Sequence, residues 1–465
     1  MRPMKISLRE WDARHAELTA AGLAEPSYGG PLSRHAAGGD RRLLKLAFDN
    51  SAAALRLWNF LLTEEERLAA ARAAGMKIVG AMKDLGTVPV MAYSFPATVA
   101  FYPDGAWWLP CFKELSTDLF AIADGLGIDD SFCPVRAMLG AFVSGAHFPR
   151  PDLLVASTGA TCDDFSAIAQ RLQGLGVPIL WWEAPHRRPP DPGEEGVELP
   201  GGLAAPRAQV EFVRGELVRV REALGALAGT AIDDAALAAG IRAANEIRTV
   251  LADLREGVFA TPAAPLPSLE MLVAEMLALH FCSDRAEALA VLRDLRDEAR
   301  ARAAAGEGVL PADAVRVFWV NPVADLRVMN LLEDCGGRVC GTEYMICHAL
   351  DLIPEDVPPM EALARMVLAD PMAGSAADRV RRILRDAQRF GAEGLIVSRI
   401  PGASHCAWEG AVIAEAAAAA GLPAVEIEVP PVADALRPAL RTRIEALVET
   451  CRAGGGRAKE EGVGA

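Results

Sequence analysis

Three of the nine cysteines in this 465-residue chain follow turns and stand at the start of segments with helical periodicity. They are Cys133, Cys162 and Cys406. A thiol at the amino end of a helix ionises more readily, because the helix dipole favours negative charge there, and thiolates are metal ligands. None of the three belongs to a close Cys-x-x-Cys pair of the kind that holds structural zinc. Three scattered thiolates are better suited to an iron–sulfur cluster with one iron left open.

The segments around two of these cysteines repeat one order of elements: an apolar strand, a turn, the cysteine, a helix, a Gly-x-Pro break and a second strand. The parts are 153–156, Cys162, 163–174 and 179–182 in the first copy, and 393–398, Cys406, 407–420 and 424–428 in the second. Strands that alternate with helices form parallel sheets, which bind ligands at the carboxyl edge of their strands. The repeat therefore predicts a duplicated α/β domain with both cysteines at equivalent sheet edges.

The expected fold class is α/β, with two Rossmann-like (doubly wound, parallel-sheet) domains and with N-terminal and inserted helical segments. The insert is predicted because apolar residues such as Val210, Val213 and Leu217 recur at helical spacing. The predicted domains are an N-terminal helical segment at 1–75, a first α/β domain at 76–200 with Cys133 and Cys162, a helical insert at 201–310, a second α/β domain and closing helix at 311–450 with Cys406, and a flexible tail at 451–465.

Composition excludes several classes of function. The net charge of −15 argues against binding to nucleic acid or to an anionic membrane surface. No charge-free apolar run is long enough to span a bilayer, and Lys5, Arg9 and Glu10 interrupt the start where a signal peptide would be apolar. The chain is therefore expected to be soluble and cytoplasmic, and its cysteines are expected not to form disulfides.

Other polar residues give weaker signals. A metal site of Cys335, Cys340 and Cys347 with His348 is disfavoured, because the first lies at a helix end and the second in a strand. Burial is the expected role of these cysteines and of Cys111 and Cys282. Glu343 and Tyr344, at the end of the same strand, are better candidates for lining a cleft. Candidate anion contacts are Lys83, Arg136 and Arg399.

In its order of motifs, the chain resembles the 2-hydroxyacyl-CoA dehydratase component D family, which also contains the benzoyl-CoA reductase subunits. The matching motifs are Cys133-Pro134-Val135-Arg136 with Gly140, Pro151-Asp152-Leu153-Leu154 running to Cys162-Asp163, 391–396 running to Cys406, 425–428 and 442–445. The resemblance covers roughly 77–449, and the order of the motifs together with the three cysteines makes it fairly specific.

The resemblance implies an enzyme, either a 2-hydroxyacyl-CoA dehydratase (a lyase) or a benzoyl-CoA reductase-like oxidoreductase. In such enzymes three cysteines bind a low-potential [4Fe-4S] cluster in the interdomain cleft, and these correspond here to Cys133, Cys162 and Cys406. An ATP-dependent iron–sulfur activator protein delivers one electron, which forms a ketyl radical of the acyl-CoA substrate or reduces an aromatic ring. The expected assembly is a pair with a homologous second subunit or a homodimer.

Two alternative functions stay open. One is a homodimeric relative that holds a double-cubane cluster and reduces small molecules; it would contain more iron per chain. The other is a non-catalytic cluster-bearing or structural partner subunit. Acyl-CoA binding would separate this last class from the enzyme.

Overall fold

The computed structural model of the protein describes residues 2–23, 28–36, 43–82, 86–105, 116–277, 283–345, 350–403, 409–431 and 434–461. Two four-stranded parallel sheets, flanked by helices, organise this part of the chain. The predicted α/β fold with two Rossmann-like domains is confirmed.

The first sheet contains four strands, all parallel: β3 (Lys77–Met82), β4 (Thr98–Phe101), β5 (Leu153–Gly159) and β6 (Ile179–Ala184). Their order across the sheet is β4-β3-β5-β6. The central strand β3 is apolar and buried after its first residue, as expected of a parallel strand that is covered on both faces.

The second sheet has the same construction. Its strands are β9 (Val315–Val320), β10 (Gly337–Glu343), β11 (Gly394–Arg399) and β12 (Ala424–Glu428), in the order β10-β9-β11-β12. Numbered by appearance within each sheet, both sheets have the order 2-1-3-4. The topological switch point, where such sheets bind ligands, therefore lies between the first and third strands in each. Cys162 follows the third strand of the first sheet, and in the sequence Cys406 comes after the third strand of the second sheet but lies outside the described residues, so the equivalence of their positions stays a prediction.

Helices cover the sheets and connect them. The described helices are α1 (Leu8–Ala20), α2 (Ala52–Leu62), α3 (Glu64–Ala73), α4 (Val88–Ser94), α5 (Ser116–Gly125), α6 (Ala137–Ser144), α7 (Asp163–Gly174), α8 (Arg207–Ala228), α9 (Asp234–Phe259), α10 (Ser268–Leu277), α11 (Arg285–Ala305), α12 (Arg327–Asp334), α13 (Pro359–Ala369), α14 (Ala376–Arg389), α15 (Gly410–Ala419) and α16 (Arg437–Glu461).

The second sheet buries both of its faces. Alternate residues of β9 point to opposite sides, because side chains alternate along a strand. Val317 and Trp319 belong to the main apolar core, whereas Phe318 and Val320 pack in a separate cluster with residues of α14 and α15 such as Ile383. This two-sided packing is the doubly wound arrangement, and it explains why β9 is apolar at every position except Arg316.

The inserted helices form at the predicted place. Val210, Val213 and Leu217 are buried on one face of α8, as their spacing predicts, and α9 packs against α11 and α4. Among the described residues, no helix combines the length and apolarity that crossing a membrane requires.

The segments outside the two sheets differ in part from the sequence-based expectation. The N-terminal segment contains, besides its helices, an antiparallel pair of β1 (Lys5–Ser7) and β2 (Ala47–Asp49). A second antiparallel pair, β7 (Gly196–Leu199) and β8 (Leu203–Pro206), lies across the predicted boundary at 200. Helix α16 continues through the residues from 451 onwards, where a flexible tail was expected. The domain boundaries themselves stay predictions.

Candidate metal centre at the sheet edges

Cys162 lies at the carboxyl end of the first sheet, where β5 passes into α7. It is the residue that precedes the first turn of α7, and its side chain is buried. Phe165, Ile168 and Leu172 bury one face of this helix and fix its direction relative to the sheet. Cys162 therefore stands at the amino end of α7, the end at which a helix favours negative charge.

Cys133 occupies a similar position before another helix. It precedes a single 3-10 turn, Pro134–Arg136, which continues directly into α6. Proline suits the first position of a helical turn, because its fixed φ is helical and its missing N–H would be unpaired there. The backbone N–H of Arg136 donates to the Cys133 carbonyl at 2.9 Å, and the thiol is half-buried. The predicted helix start at Cys133 is confirmed.

One carboxyl group joins these two cysteines. Asp164 Oδ2 lies 3.5 Å from Cys162 Sγ and accepts a hydrogen bond from it. The backbone of Cys133 also approaches this carboxyl group and favours its charged form. Asp164 is buried, and this burial raises the pKa of its carboxyl group. The structure therefore brings Cys133 and Cys162 together around the first turn of α7.

The loop after β11, which leads to Cys406, touches the Cys133 segment. Cys406 itself lies outside the described residues, but Gly402 is described and has a φ of +77°. A Cβ atom at Gly402 would lie 2.3 Å from the Phe132 carbonyl oxygen and 3.0 Å from that of Asp130. Only a residue without a side chain permits so close an approach. The chain four residues before Cys406 is thus in contact with the residue that precedes Cys133.

On its other side, the segment of Cys406 is held by a buried arginine. The Arg379 side chain is fully buried and its Nη1 lies 2.7 Å from Glu409 Oε2, three residues after Cys406. Its Nε donates to Glu343 Oε2 at 2.8 Å, and it also donates to Asn321 Oδ1. Burial by itself would lower the pKa of Arg379, but the Glu343 and Glu409 carboxylates outweigh it and raise the pKa.

This arginine connects the carboxyl ends of the second sheet to the Cys406 segment. Glu343 ends β10, and Asn321 follows β9 and donates from Nδ2 to the Ser398 carbonyl of β11 at 2.9 Å. Asn321 has a φ of +70°, a strained conformation of the kind that concentrates at functional sites. Both flanks of the Cys406 segment are therefore anchored, at Gly402 and at Glu409.

The donor atoms present fit an iron–sulfur group. Within the described ranges, no group of three His, Cys, Asp or Glu side chains is placed to hold a metal ion, and Cys133 and Cys162 supply two soft sulfur donors. Thr161 Oγ1, next to Cys162, is buried and has no hydrogen-bond partner in the described part of the structure. A buried hydroxyl group normally has a partner, so this atom has the capacity to donate to a sulfur atom of a bound group.

Comparison with known proteins identifies the family. A sequence model of the family described as 2-hydroxyglutaryl-CoA dehydratase, D-component, matches residues 86–451, which is most of the chain. The chain belongs to this family. The match includes Cys133, Cys162 and Cys406, and membership supports an enzymatic role as a component of a multi-subunit dehydratase. No curated protein matches the chain significantly.

The other described cysteines of this D-component homologue are placed as structural thiols. Cys340 is buried in β10 and Cys335 is half-buried after α12, as expected, and Cys451 is buried in α16. Burial raises the pKa of their thiols to about 11 for Cys335, about 12 for Cys340 and about 11 for Cys451, so they stay protonated at neutral pH. Cys111, Cys282 and Cys347 with His348 lie outside the described residues.

The described residues that were predicted to contact an anion or to line a cleft lie in ion pairs or are buried. Arg136 stacks on Phe120 and pairs with Asp124, and Arg399 pairs with Glu426. Lys83 lies outside the described residues. The side chains at the end of β10, Glu343 and Tyr344, are buried and do not line an open cleft.

Sequence analysis missed three side chains of this site: Asp164, Thr161 and Arg379. Thr161 precedes Cys162 and Asp164 follows it by two residues, so proximity to a candidate ligand in the sequence was the available signal. Arg379 lies in an arginine-rich helix with ordinary amphipathic spacing, and nothing in that local pattern indicates a partner 30 residues further along the chain.

Proposed function

We propose that this chain is the iron–sulfur subunit of a 2-hydroxyacyl-CoA dehydratase and that Cys133, Cys162 and Cys406 bind its [4Fe-4S] cluster. The observation that carries the proposal is the convergence of the three cysteine-bearing segments. Asp164 joins the first two, and Gly402 brings the third against Phe132. The description of the matching family names a dehydratase, so dehydration is the reaction proposed first, and ring reduction stays the alternative within the same family.

When bound, such a cluster would supply one electron at low potential and an open iron to the thioester carbonyl of an acyl-CoA, the chemistry by which a ketyl radical forms and a 2-hydroxyl group leaves. An ATP-dependent iron–sulfur activator protein is the expected electron source, and a homologous second subunit is the expected partner. The residues of this chain have the tasks of holding, orienting and shielding.

Holding, orienting and shielding the cluster are each assigned to particular groups of the chain. The Cys133 and Cys162 thiolates are the ligands from the first domain, and the amino end of α7 favours their negative charge. The Asp164 carboxyl group keeps the Cys133 backbone and the Cys162 side chain in register. Thr161 Oγ1 is free to donate a hydrogen bond toward bound sulfur, an interaction that tunes the potential of such groups. Burial of Cys162 and Asp164 excludes water from this side of the site.

The test is the iron and acid-labile sulfide content of protein purified without oxygen, together with electron paramagnetic resonance after reduction. We expect about four of each per chain, as one [4Fe-4S] cluster requires. Cys133→Ala, Cys162→Ala and Cys406→Ala should each lose most of the iron and the signal, because each removes one of three protein ligands. Cys335→Ser, a change at a half-buried thiol outside the site, is the control and should keep both.

Other results would favour one of the alternative functions or contradict the cluster. About eight irons per chain would favour the homodimeric double-cubane reductase. Absence of iron from every anaerobic preparation, or full iron in all three site variants, would contradict the cluster and leave a structural role. Iron with no acyl-CoA binding would favour a non-catalytic cluster-bearing partner.

A further inference from the structure

The residue that follows β9 is held in an unfavourable backbone conformation. Asn321 has a φ of +70° and is fully buried. Positive φ values are uncommon outside glycine, although asparagine tolerates them better than most residues. The next residue is Pro322, and a residue that precedes proline prefers an extended backbone. Such a conformation persists only where the surrounding contacts over-determine it, and it concentrates at functional sites.

The backbone and the side chain of Asn321 both bond to neighbouring elements. Its backbone N–H donates to the Glu343 carbonyl at 2.7 Å, and its backbone carbonyl accepts from Trp319 Nε1 at 3.1 Å. Its Nδ2 donates to the Ser398 carbonyl at 2.9 Å, and its Oδ1 accepts from the Arg379 guanidinium. The end of β9 is thereby tied to β10, to β11 and to α14, and these four bonds hold the strained conformation in place.

The two side-chain hydrogen bonds of Asn321 reach the Cys406 segment from its two ends. Ser398 lies on β11, the strand from which the chain leads to Cys406. Arg379 holds Glu409 at 2.7 Å, at the point where the chain leaves this segment and enters α15. Asn321 therefore bonds directly to the strand before the segment, and it bonds through one guanidinium group to the residue after it.

The position and the chemical type of Asn321 agree with a role at the site. It follows β9 and bonds to β11, the two strands between which the topological switch point of the second sheet lies. Its amide adds a donor and an acceptor without adding charge. The buried ion pairs of Arg379 with Glu343 and Glu409 are therefore left undisturbed.

We propose that Asn321 is a positioning residue of the candidate metal centre, and that its side chain fixes the Cys406 segment from both ends. The strained backbone is the conformation that places the amide between β11 and α14. The inference rests on the proposed function, in which Cys406 is a cluster ligand. Partners outside the ligand set orient the ligands, and their loss typically weakens metal binding about 10–100-fold. Loss of the amide should therefore loosen the segment while the sheet stays folded.

Three substitutions separate the amide from the backbone strain. Asn321→Gly removes the amide and relieves the strain, because glycine adopts positive φ freely, whereas Asn321→Ala removes the amide and keeps the strain. The two variants should therefore differ in stability but share the loosened segment. The matched control is Asn330→Ala, because Asn330 is also a buried asparagine and its amide bonds to the Ala47 backbone at 3.1 and 3.2 Å, between α12 and β2.

The first measurement is the alkylation rate of individual thiols in the iron-free full chain, followed by mass spectrometry. Cys406 should react about ten-fold faster in both Asn321 variants than in the unmodified protein and in Asn330→Ala, as the loss of two hydrogen bonds predicts. Cys451 is the internal reference, because its Sγ lies 3.2 Å from the Glu393 carbonyl oxygen, at the opposite end of β11. It should react at the same rate in Asn321→Gly as in the unmodified protein.

The second measurement is the rate at which protein purified without oxygen loses iron to a chelator. This rate should rise about ten-fold in both Asn321 variants and stay at the unmodified level in Asn330→Ala. Absence of iron from the unmodified protein would contradict the proposed function. It would not decide the positioning role, which the alkylation rates of the iron-free chain test separately.

Faster alkylation of Cys406 in both Asn321 variants, with Cys451 unchanged in Asn321→Gly, supports the positioning role. Equal Cys406 rates in Asn321→Gly and in the unmodified protein overturn it. A rise in Asn321→Ala alone overturns it as well, because that pattern follows backbone strain and not the amide. An equal rise for Cys406 and Cys451, or for Cys406 in Asn330→Ala, would show a general loss of stability and would also overturn the inference.

Discussion

Replacement of Gly402 by alanine should separate the two segments whose contact builds the candidate metal centre. The new Cβ would lie 2.3 Å from the Phe132 carbonyl oxygen and 2.6 Å from its carbonyl carbon, and both are backbone atoms that cannot rotate away. An ordinary carbon–oxygen contact is about 3.3 Å, so the loop after β11 and the Cys133 segment must move apart by about 1 Å.

The energetic cost of this substitution has two parts. At a φ of +77°, any residue with a Cβ is strained by about 1–2 kcal/mol. Displacement of packed backbone costs about 1–3 kcal/mol more, as other overpacked substitutions do. The matched control is Gly421→Ala, where φ is +74° and no atom lies within 4 Å of the new Cβ. The control variant should therefore be destabilised by the backbone strain only, and not by displacement of packed backbone.

Two measurements on the same variants separate stability from the site. Denaturant unfolding should show a larger loss of unfolding free energy for Gly402→Ala than for Gly421→Ala, with a difference of about 1–3 kcal/mol. Iron per chain after anaerobic purification should fall in Gly402→Ala and stay at the unmodified level in Gly421→Ala, because only the former displaces the segment that leads to Cys406. Equal stability and equal iron content in the two variants would refute the argument that this contact joins the domains at the site.

Two further substitutions test the buried charges. Arg379→Met leaves the carboxylates of Glu343 and Glu409 without their cation, and it should lower the unfolding free energy by about 3–5 kcal/mol. In a double-mutant cycle, Glu343→Gln should recover part of this loss. Strict additivity of the two substitutions would show that the pair is not coupled. Glu270 is buried near Asp49, and desolvation followed by that carboxylate raises its pKa to about 8. The folded state therefore binds more protons than the unfolded state between pH 4.5 and 8, so Glu270 makes stability fall as pH rises through this window, by at most about 1.4 kcal/mol per pH unit. Glu270→Gln should remove this fall in denaturant titrations at several pH values, and a pH-independent difference between the two proteins would contradict the raised pKa.

The local parts of the fold were predictable because they depend on neighbouring residues. The strand β9 is predictable from its own residues, since five apolar or aromatic residues and one arginine precede the turn-forming Asn321-Pro322. The helix starts after Cys133 and Cys162 follow from the turn residues before them. The repeated order of strand, turn, cysteine and helix was sufficient to predict two equivalent sheets.

The contacts that assemble the site could not be predicted, because they join distant parts of the chain. No pattern around Gly402 indicates that its missing side chain makes room for the carbonyl of Phe132. The conformation of Asn321 and the fully buried position of Arg379 likewise depend on partners from separate strands and helices. Helix α4 was missed because Val88–Ser94 is short and contains a proline, which is tolerated there only because it lies in the first turn.

The contact between Gly402 and Phe132 also has a consequence for biosynthesis. The first two candidate ligands and their sheet are translated early, whereas Cys406 follows about half a chain length later. At the usual 5–20 residues per second, this delay is on the order of tens of seconds. A nascent chain thus carries two cysteines of an incomplete centre while it is still on the ribosome. Under the proposed function, a cluster held by all three cysteines is completed only after Cys406 has been translated, and the two earlier thiols stay open to oxygen or competing metals during that interval.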